Sequence, residues 1–392
     1  MKNIQQQLAA LDAQQMRRFL REIESASGPR VQFGGRDYLL LCSNNYLGLA
    51  DHPQLIEASC RATRDFGTGS GASRLVCGSL SLHHRLEEAL AHFKGSESAL
   101  LFNSGYAANT GILQALYGPD DLIFSDVLNH ASIIDGCRLS GARVLVYAHN
   151  NLAALEELLE QEKPRRRGRW LIVSDGVFSM DGDLAPLPGL VALKERYDAW
   201  LMIDDAHGGG VLGAGGRGTA EHFGCLDKID LHMGTFGKAL GSYGAYLAAS
   251  RAVTDLLINR ARSFIYSTSL PPGVAAANLA ALKLVDSPTG AHLRAQLESH
   301  RRLFAGRLSA AGLNLCGSQT QIVPILTVNP EPTMQAAAAL LDHGIFISGI
   351  RPPTVPSGTC RLRATLMASH DPQDILAAAD TIIALLASGG AR

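Results

Sequence analysis

WLMIDDAHGGG, residues 200–210, is the stretch that decides the fold. Four apolar residues run into Asp204 and Asp205, His207 follows, and three glycines close the segment. A short apolar run bounded by turn residues reads as a buried strand, here one ending at Asp204 with His207 just past its carboxyl end. Downstream, LHMGTF (231–236) repeats the pattern, ends near Thr235 and leads into Lys238 within GTFGKALG (234–241). Upstream, SALLFNS (98–104), DLIFSD (121–126), ARVLVYAH (142–149) and RWLIVSD (169–175) are strand candidates of the same kind. LEEALAHF (86–93), NLAALEELLEQ (151–161) and LPGLVALKERYDA (187–199) carry helical spacing between them. Strand–helix alternation over this length predicts an α/β fold, with a mostly parallel central sheet flanked by helices.

The flanks read differently. Ile4, Leu8, Leu11, Phe19, Leu20 and Ile23 recur at helical spacing, which predicts one amphipathic helix over roughly 3–26, followed by two short β runs about the turn of VQFGGRDYLLL (31–41). After STSLPPG (267–273) come long Ala/Leu helices at 275–285 and 334–343 and the strands QIVPILTV (321–328) and CRLRATLMA (360–368). The expected division is an N-terminal helix and β segment (1–51), a large cofactor-binding domain (52–280) and a smaller α+β domain (281–392), which suits a chain of 392 residues.

Composition narrows the function. With 46% hydrophobic and 18% charged residues and a net charge of -1, no global field favours nucleic acid or a membrane surface. Seven scattered cysteines without a C-x-x-C pair argue against a zinc site or a disulfide framework and suit a reducing compartment. No signal-peptide h-region opens the chain, and no run approaches the ~18 apolar residues of a membrane span. The expectation is a cytoplasmic protein with no metal, and the basic run PRRRGR (164–169) is expected to be a solvated loop.

Three nucleotide-like motifs fail on context. GTGSGA (67–72) follows the helical stretch LIEASCRATRDF, where a dinucleotide fingerprint needs a strand before it. GGGVLG (208–213) runs into AGGRG, which cannot start a helix. A P-loop needs Ser or Thr at Ala239 and Gly at His232. What remains is Asp204, His207, Thr235 and Lys238 past the carboxyl ends of neighbouring strands, where an open parallel sheet gathers its ligand-binding groups. That set meets the needs of pyridoxal 5′-phosphate: a lysine to hold it covalently, a carboxylate to keep its ring nitrogen protonated, and hydroxyls for its phosphate.

The sequence resembles the α-oxoamine synthases, pyridoxal-phosphate enzymes of the aspartate-aminotransferase fold (fold type I). The motifs are SNNYLGL (43–49), GSGASRLVCGS (69–79), NSGYAAN (103–109), NHASIIDG (129–136), SDGVFSMDGD (174–183), IDDAHGGGVLG (203–213), TFGKALG (235–241), YSTSLPP (266–272) and IRPPTVP (350–356). The resemblance covers nearly the whole chain, and IRPPTVP is similar to the branch that joins L-alanine to a pimeloyl thioester, carried on CoA or acyl carrier protein, on the route to biotin. By resemblance, Lys238 would hold the cofactor and act as base, Asp204 would meet the ring nitrogen, and His207 with Ser179 would bond its phenolic oxygen. His130 would lie on the ring and contact substrate. The backbone of Gly105 and Tyr106 and the hydroxyl of Thr235 would hold the phosphate, completed in a homodimer by Ser267 or Thr268 of the second copy. Arg351 would hold the amino-acid carboxylate with Asn44 nearby, and Arg21 and Thr354 would face the acyl chain. Siblings that condense glycine with acetyl-CoA or succinyl-CoA, and a non-catalytic subunit of the same fold, stay open as alternatives.

Overall fold

The computed structural model describes residues 2–13 and 16–388. A hairpin opens the body of the molecule, β1 (Arg30–Phe33) antiparallel to β2 (Arg36–Leu40). The strands β3 (Ser98–Phe102), β4 (Leu122–Asp126), β5 (Arg143–Tyr147), β6 (Trp170–Asp175), β7 (Trp200–Asp204), β8 (Leu231–Thr235) and β9 (Ala245–Ala249) form one sheet in the order β3-β9-β8-β7-β6-β4-β5. Six of the seven run parallel, and β9 alone is reversed, antiparallel to both β3 and β8. Strands β3, β4, β6 and β9 are buried along their whole length, as a sheet covered on both faces requires.

The C-terminal part holds β10 (Ile322–Val328), β11 (Ile345–Phe346), β12 (Ser348–Ile350) and β13 (Cys360–Thr365). Three of these make the antiparallel sheet β10-β13-β12, while β11 lies parallel to β2 with Ile345 opposite Leu39. The N-terminal hairpin is thus stitched into the C-terminal part, and one hydrophobic core runs from Phe236, just past β8, and Tyr246 of β9 through Leu41 and Leu47 to Phe304, Ile322 and Ile375.

Two features differ from the sequence reading. The first helix spans only Lys2–Ala13; positions 14–15 of the expected helix lie outside the described residues, and 16–29 is irregular. Ile4, Leu8 and Leu11 repeat at helical spacing but stay exposed, so no packing extends the helix. Strand β9 was not anticipated, because AYLAA has neither alternation nor β-branched residues, and only pairing on both edges makes it a strand.

Candidate active site

Each parallel strand delivers a carboxylate or a loop to the same edge of the sheet. Asp126, Asp175 and Asp204 end β4, β6 and β7, and Asp175 and Asp204 lie directly opposite one another in the ladder. Both are buried, and burial together with the charge of Asp204 raises the Asp175 pKa well above the usual carboxylate range. Asp175 nevertheless has partners: Oδ2 accepts the His130 backbone N–H (2.7 Å), and its own N–H donates to Asn129 Oδ1 (2.9 Å).

Asp204 is held from two sides. Its Oδ2 accepts from Asn109 Nδ2 (2.7 Å) and its Oδ1 from the Ala206 N–H (3.0 Å). Asn109 belongs to the helix Gly105–Leu116, which starts at Ser104, where the Ser104 hydroxyl accepts the Ala107 N–H (3.1 Å). The first N–H groups of that helix have no partners within it, and the helix starts just past the carboxyl end of β3. A Cβ on Gly105 would come 3.1 Å from Met233 of β8, so the helix start is pressed against the strand that leads to Lys238.

Lys238 follows β8 in a loop whose glycines permit close approach. A Cβ on Gly234 would meet the Tyr246 hydroxyl at 2.4 Å, and one on Gly241, at φ +65°, would strike the Leu49 and Ala50 backbone. Among the described residues the Lys238 amine has no ion-pair partner. Burial lowers its pKa to about 8, against the opposing pull of Asp204 and Asp175 and with help from the positive charge of Arg363. His207 is also buried; burial and the charges of Lys238 and Arg363 push its pKa well below 6.5, so the ring is neutral. Its Nδ1 lies 2.7 Å from the hydroxyl of the fully buried Tyr46, which donates to Asn44 Oδ1 (3.0 Å), and its carbonyl accepts from Gln321.

His130 caps the helix Ala131–Ser140. Partial burial lowers its pKa, opposed by Asp204 and assisted by Lys238, so it too is neutral. Thr235 turns its hydroxyl into the lysine loop, donating to the Gly244 carbonyl (2.8 Å) and accepting the Gly237 N–H (3.2 Å). Ser179 lies in the loop after β6, where its carbonyl accepts from Arg363 Nε. Tyr106 is half exposed and donates its hydroxyl to Asp135 (2.6 Å).

The remaining expected substrate residues sit farther out. Arg351 directs one nitrogen at Met334 Sδ (2.9 Å) and another at the Arg17 carbonyl (3.3 Å). Thr354 accepts from Arg18 (3.0 Å), and exposed Arg21 lies over the rings of Phe33 and Phe346. The guanidinium that acts on the crevice is Arg363 of β13: it is buried, no carboxylate pairs with it among the described residues, and its charge bears on Lys238, His207 and Tyr46. A buried cation without a carboxylate partner is costly unless an anion joins it. Sequence reasoning passed over Arg363, Asn109, Ser132, Asp175 and Tyr46. The available signal was CRLRATLMA, where an alternating strand puts Arg361 and Arg363 on one face.

These groups fit pyridoxal phosphate. The set supplies an amine of lowered pKa, a buried carboxylate braced by two donors, neutral imidazoles and a helix N-terminus. Among the described residues no cluster of His, Cys, Asp and Glu is arranged to hold a metal ion.

The fold and site define a class: the chain belongs to the aminotransferase class I and II family, whose profile matches residues 36–382. Within it, the chain is 60% identical over 374 residues to the 8-amino-7-oxononanoate synthase of Geobacter sulfurreducens, covering 95% of each chain. Among solved structures it superposes on a lysine-to-alanine variant of serine palmitoyltransferase from S. paucimobilis with a bound PLP-myriocin aldimine, with a TM-score of 0.92 and 31% identity, covering 99% and 98% of the two chains. The 8-amino-7-oxononanoate synthase of Francisella tularensis matches with a TM-score of 0.77 and 28% identity over 90% of this chain and 98% of that one.

Proposed function

We infer that the chain is a pyridoxal-phosphate-dependent acyltransferase that condenses L-alanine with a pimeloyl thioester to give 8-amino-7-oxononanoate, CO2 and free thiol, a step of biotin biosynthesis. The observation that carries this is the near-full-length identity to enzymes of that name, in a chain whose Lys238, Asp204, His207 and Arg363 meet at one crevice. The glycine-using siblings and the non-catalytic subunit are not favoured.

When bound, pyridoxal phosphate supplies an electron sink that stabilises negative charge at the amino-acid Cα. The chain's residues do the rest. Lys238 carries the cofactor and, once free, takes the Cα proton at Nζ, a task for which a pKa of about 8 suits it. Asp204 holds the protonated ring nitrogen, its orientation fixed by Asn109 and the Ala206 N–H. His207 and Ser179 bond the phenolic oxygen, while the helix start at Gly105 and Tyr106 holds the phosphate with Thr235 nearby. We assign the alanine carboxylate to Arg363, in place of Arg351, with Asn44 beside it. Arg21 and Thr354 remain our candidates for the outer part of the acyl chain, and His130 for contact with the substrate beside the cofactor.

A new C–C bond joins alanine Cα to the thioester carbonyl carbon, the C–S bond breaks with the leaving thiolate taking a proton from water, and the carboxylate leaves as CO2. Lys238 then returns its proton to Cα. We further propose a cytoplasmic homodimer that needs no nucleic acid or membrane; the free cysteines suit a reducing compartment, and no helix among the described residues is long and apolar enough to cross a membrane. The test is competition of L-alanine and glycine against pimeloyl-, succinyl- and acetyl-CoA, scored by kcat/KM. Alanine with the pimeloyl donor should lead, with CO2 and thiol released in equal amounts. A preference for glycine with a short acyl donor would move the chain to the sibling chemistry.

A further inference from the structure

Asn109 is fully buried, and both hydrogens of its side-chain amide are committed: one to Asp204 Oδ2 (2.7 Å), the other to Ser132 Oγ (2.8 Å). Ser132 is buried as well, and its hydroxyl lies 2.7 Å from His130 Nδ1, which also accepts the Ser132 backbone N–H (3.2 Å). A backbone N–H can only donate, so Nδ1 carries no proton and the neutral ring is protonated at Nε2. The polarity of the whole chain follows. The Ser132 hydroxyl spends its hydrogen on His130, so its oxygen accepts from Asn109, and Asn109 donates in both directions because an amide nitrogen carries two hydrogens and accepts none.

We propose that Asn109 and Ser132 are positioning residues, a buried hydrogen-bonded link from Asp204 that fixes His130 as an Nε2–H donor at the crevice. The link joins the carboxylate at the end of β7 to the histidine that starts the helix Ala131–Ser140, through a side chain of a third element, the helix Gly105–Leu116. Asp204 and His130 are therefore set relative to each other without touching. The groups facing His130 are Asp204 from β7, His207 just past β7, Asp175 from the end of β6 and Lys238 from the loop after β8.

Ser132→Ala is the mild test, since it removes one oxygen and keeps the backbone donor. The non-kinetic arm is independent of the proposed reaction: the His130 ring is titrated by 15N NMR in the cofactor-free protein. Removing a donor to the neutral ring should raise the His130 pKa, and an unmoved titration would overturn the link. The kinetic arm rests on the proposed condensation. Ser132→Ala should lower kcat/KM for the acyl donor about tenfold, equivalent to ~1.4 kcal/mol. Cofactor affinity should stay near that of the unaltered protein. On a His130→Ala background the same substitution should cost nothing further, because residues acting as a unit are not additive. Equal losses on both backgrounds would mark Ser132 as merely structural. Asn109→Ala, on the His130→Ala background, should retain the part of its loss that runs through Asp204; an additional loss from Ser132→Ala on that background would overturn the proposal.

Discussion

At Lys238, burial lowers the amine pKa from 10.5 to about 8, although Asp204 and Asp175 pull the other way. Reaction of an amine with an aldehyde needs its free base. The rate at which cofactor-free protein captures pyridoxal phosphate, trapped by borohydride, should therefore rise through a midpoint near pH 8. Lys238→Ala should abolish the label, and a midpoint near 10.5 would mean that the amine is not desolvated. A second residue-scale expectation separates two arginines. Arg363→Ala should raise the KM for L-alanine by roughly 30-fold to several thousand-fold, since truncating one partner of a buried charged pair costs ~2–5 kcal/mol. Arg351→Ala should leave that KM nearly unchanged. That Asp204, His207 and Lys238 stand at or just past strand ends was legible, because each lies in a recognisable motif at the end of an apolar run. Arg363 was not, because only the pairing of β13 with β10 and β12 turns an alternating arginine inward.

Among elements, His149, just after β5, clasps the end of β4 to the loop after β6. Its Nδ1 meets Asp126 at the end of β4 (3.0 Å), its Nε2 meets Asp183 in the loop after β6 (2.8 Å), and its ring stands edge-on to Phe178. The neighbouring Asn150 repeats the clasp, with its N–H on Asp126 and its Nδ2 on Asp183, both 2.8 Å. Burial alone would lower the His149 pKa, but the hydrogen bonds to the two carboxylates win and raise it to about 10. Because the folded value lies above the unfolded 6.5, the stabilisation is complete below about pH 6.5 and is lost as pH rises through about 10. Thermal stability should therefore fall between those limits, and His149→Gln should flatten that dependence. A profile identical to the unsubstituted protein would remove His149 as its cause. The strand that leads here was legible as ARVLVYAH, yet the clasp was not, since its three parts are far apart in sequence and meet only through the order β5-β4-β6. The N-terminal helix was over-read for the complementary reason: its periodicity is real, but no surface of its own chain receives it.

For the whole molecule, that unreceived surface is the main clue to assembly. Val76 is 78% exposed and Tyr266 73%, both in loops that carry site motifs, and Phe19 and Leu20 are bare on the N-terminal segment. A contiguous exposed apolar patch marks an interface, and these side chains are candidates for burial between two copies. We expect sedimentation to give a homodimer at assay concentration, with an isologous contact that brings Ser267 or Thr268 of one copy toward the phosphate of the other. An active monomer would exclude this arrangement. The layered α/β architecture was legible from strand–helix alternation, because each period reflects a covered or half-covered face. The union of the first hairpin with the C-terminal sheet region was not, because β2 and β11 carry no local mark of one another.

That union also sets an order of assembly during synthesis. The ribosome delivers β1 and β2 near the start, but the strand that flanks β2, Ile345–Phe346, emerges only when most of the chain is out. The large sheet needs nothing beyond Ala249 to pair all of its strands, so it can close while translation continues. The hairpin must wait as an unsatisfied edge, and two strands alone are at best marginally stable in water. Asn44 and Tyr46, which follow β2 directly, wait with it. The nascent protein can therefore hold a finished sheet edge bearing Lys238 and Asp204 before it can hold the Tyr46 contact to His207, and the crevice reaches its final form only after the last third of the chain has been made.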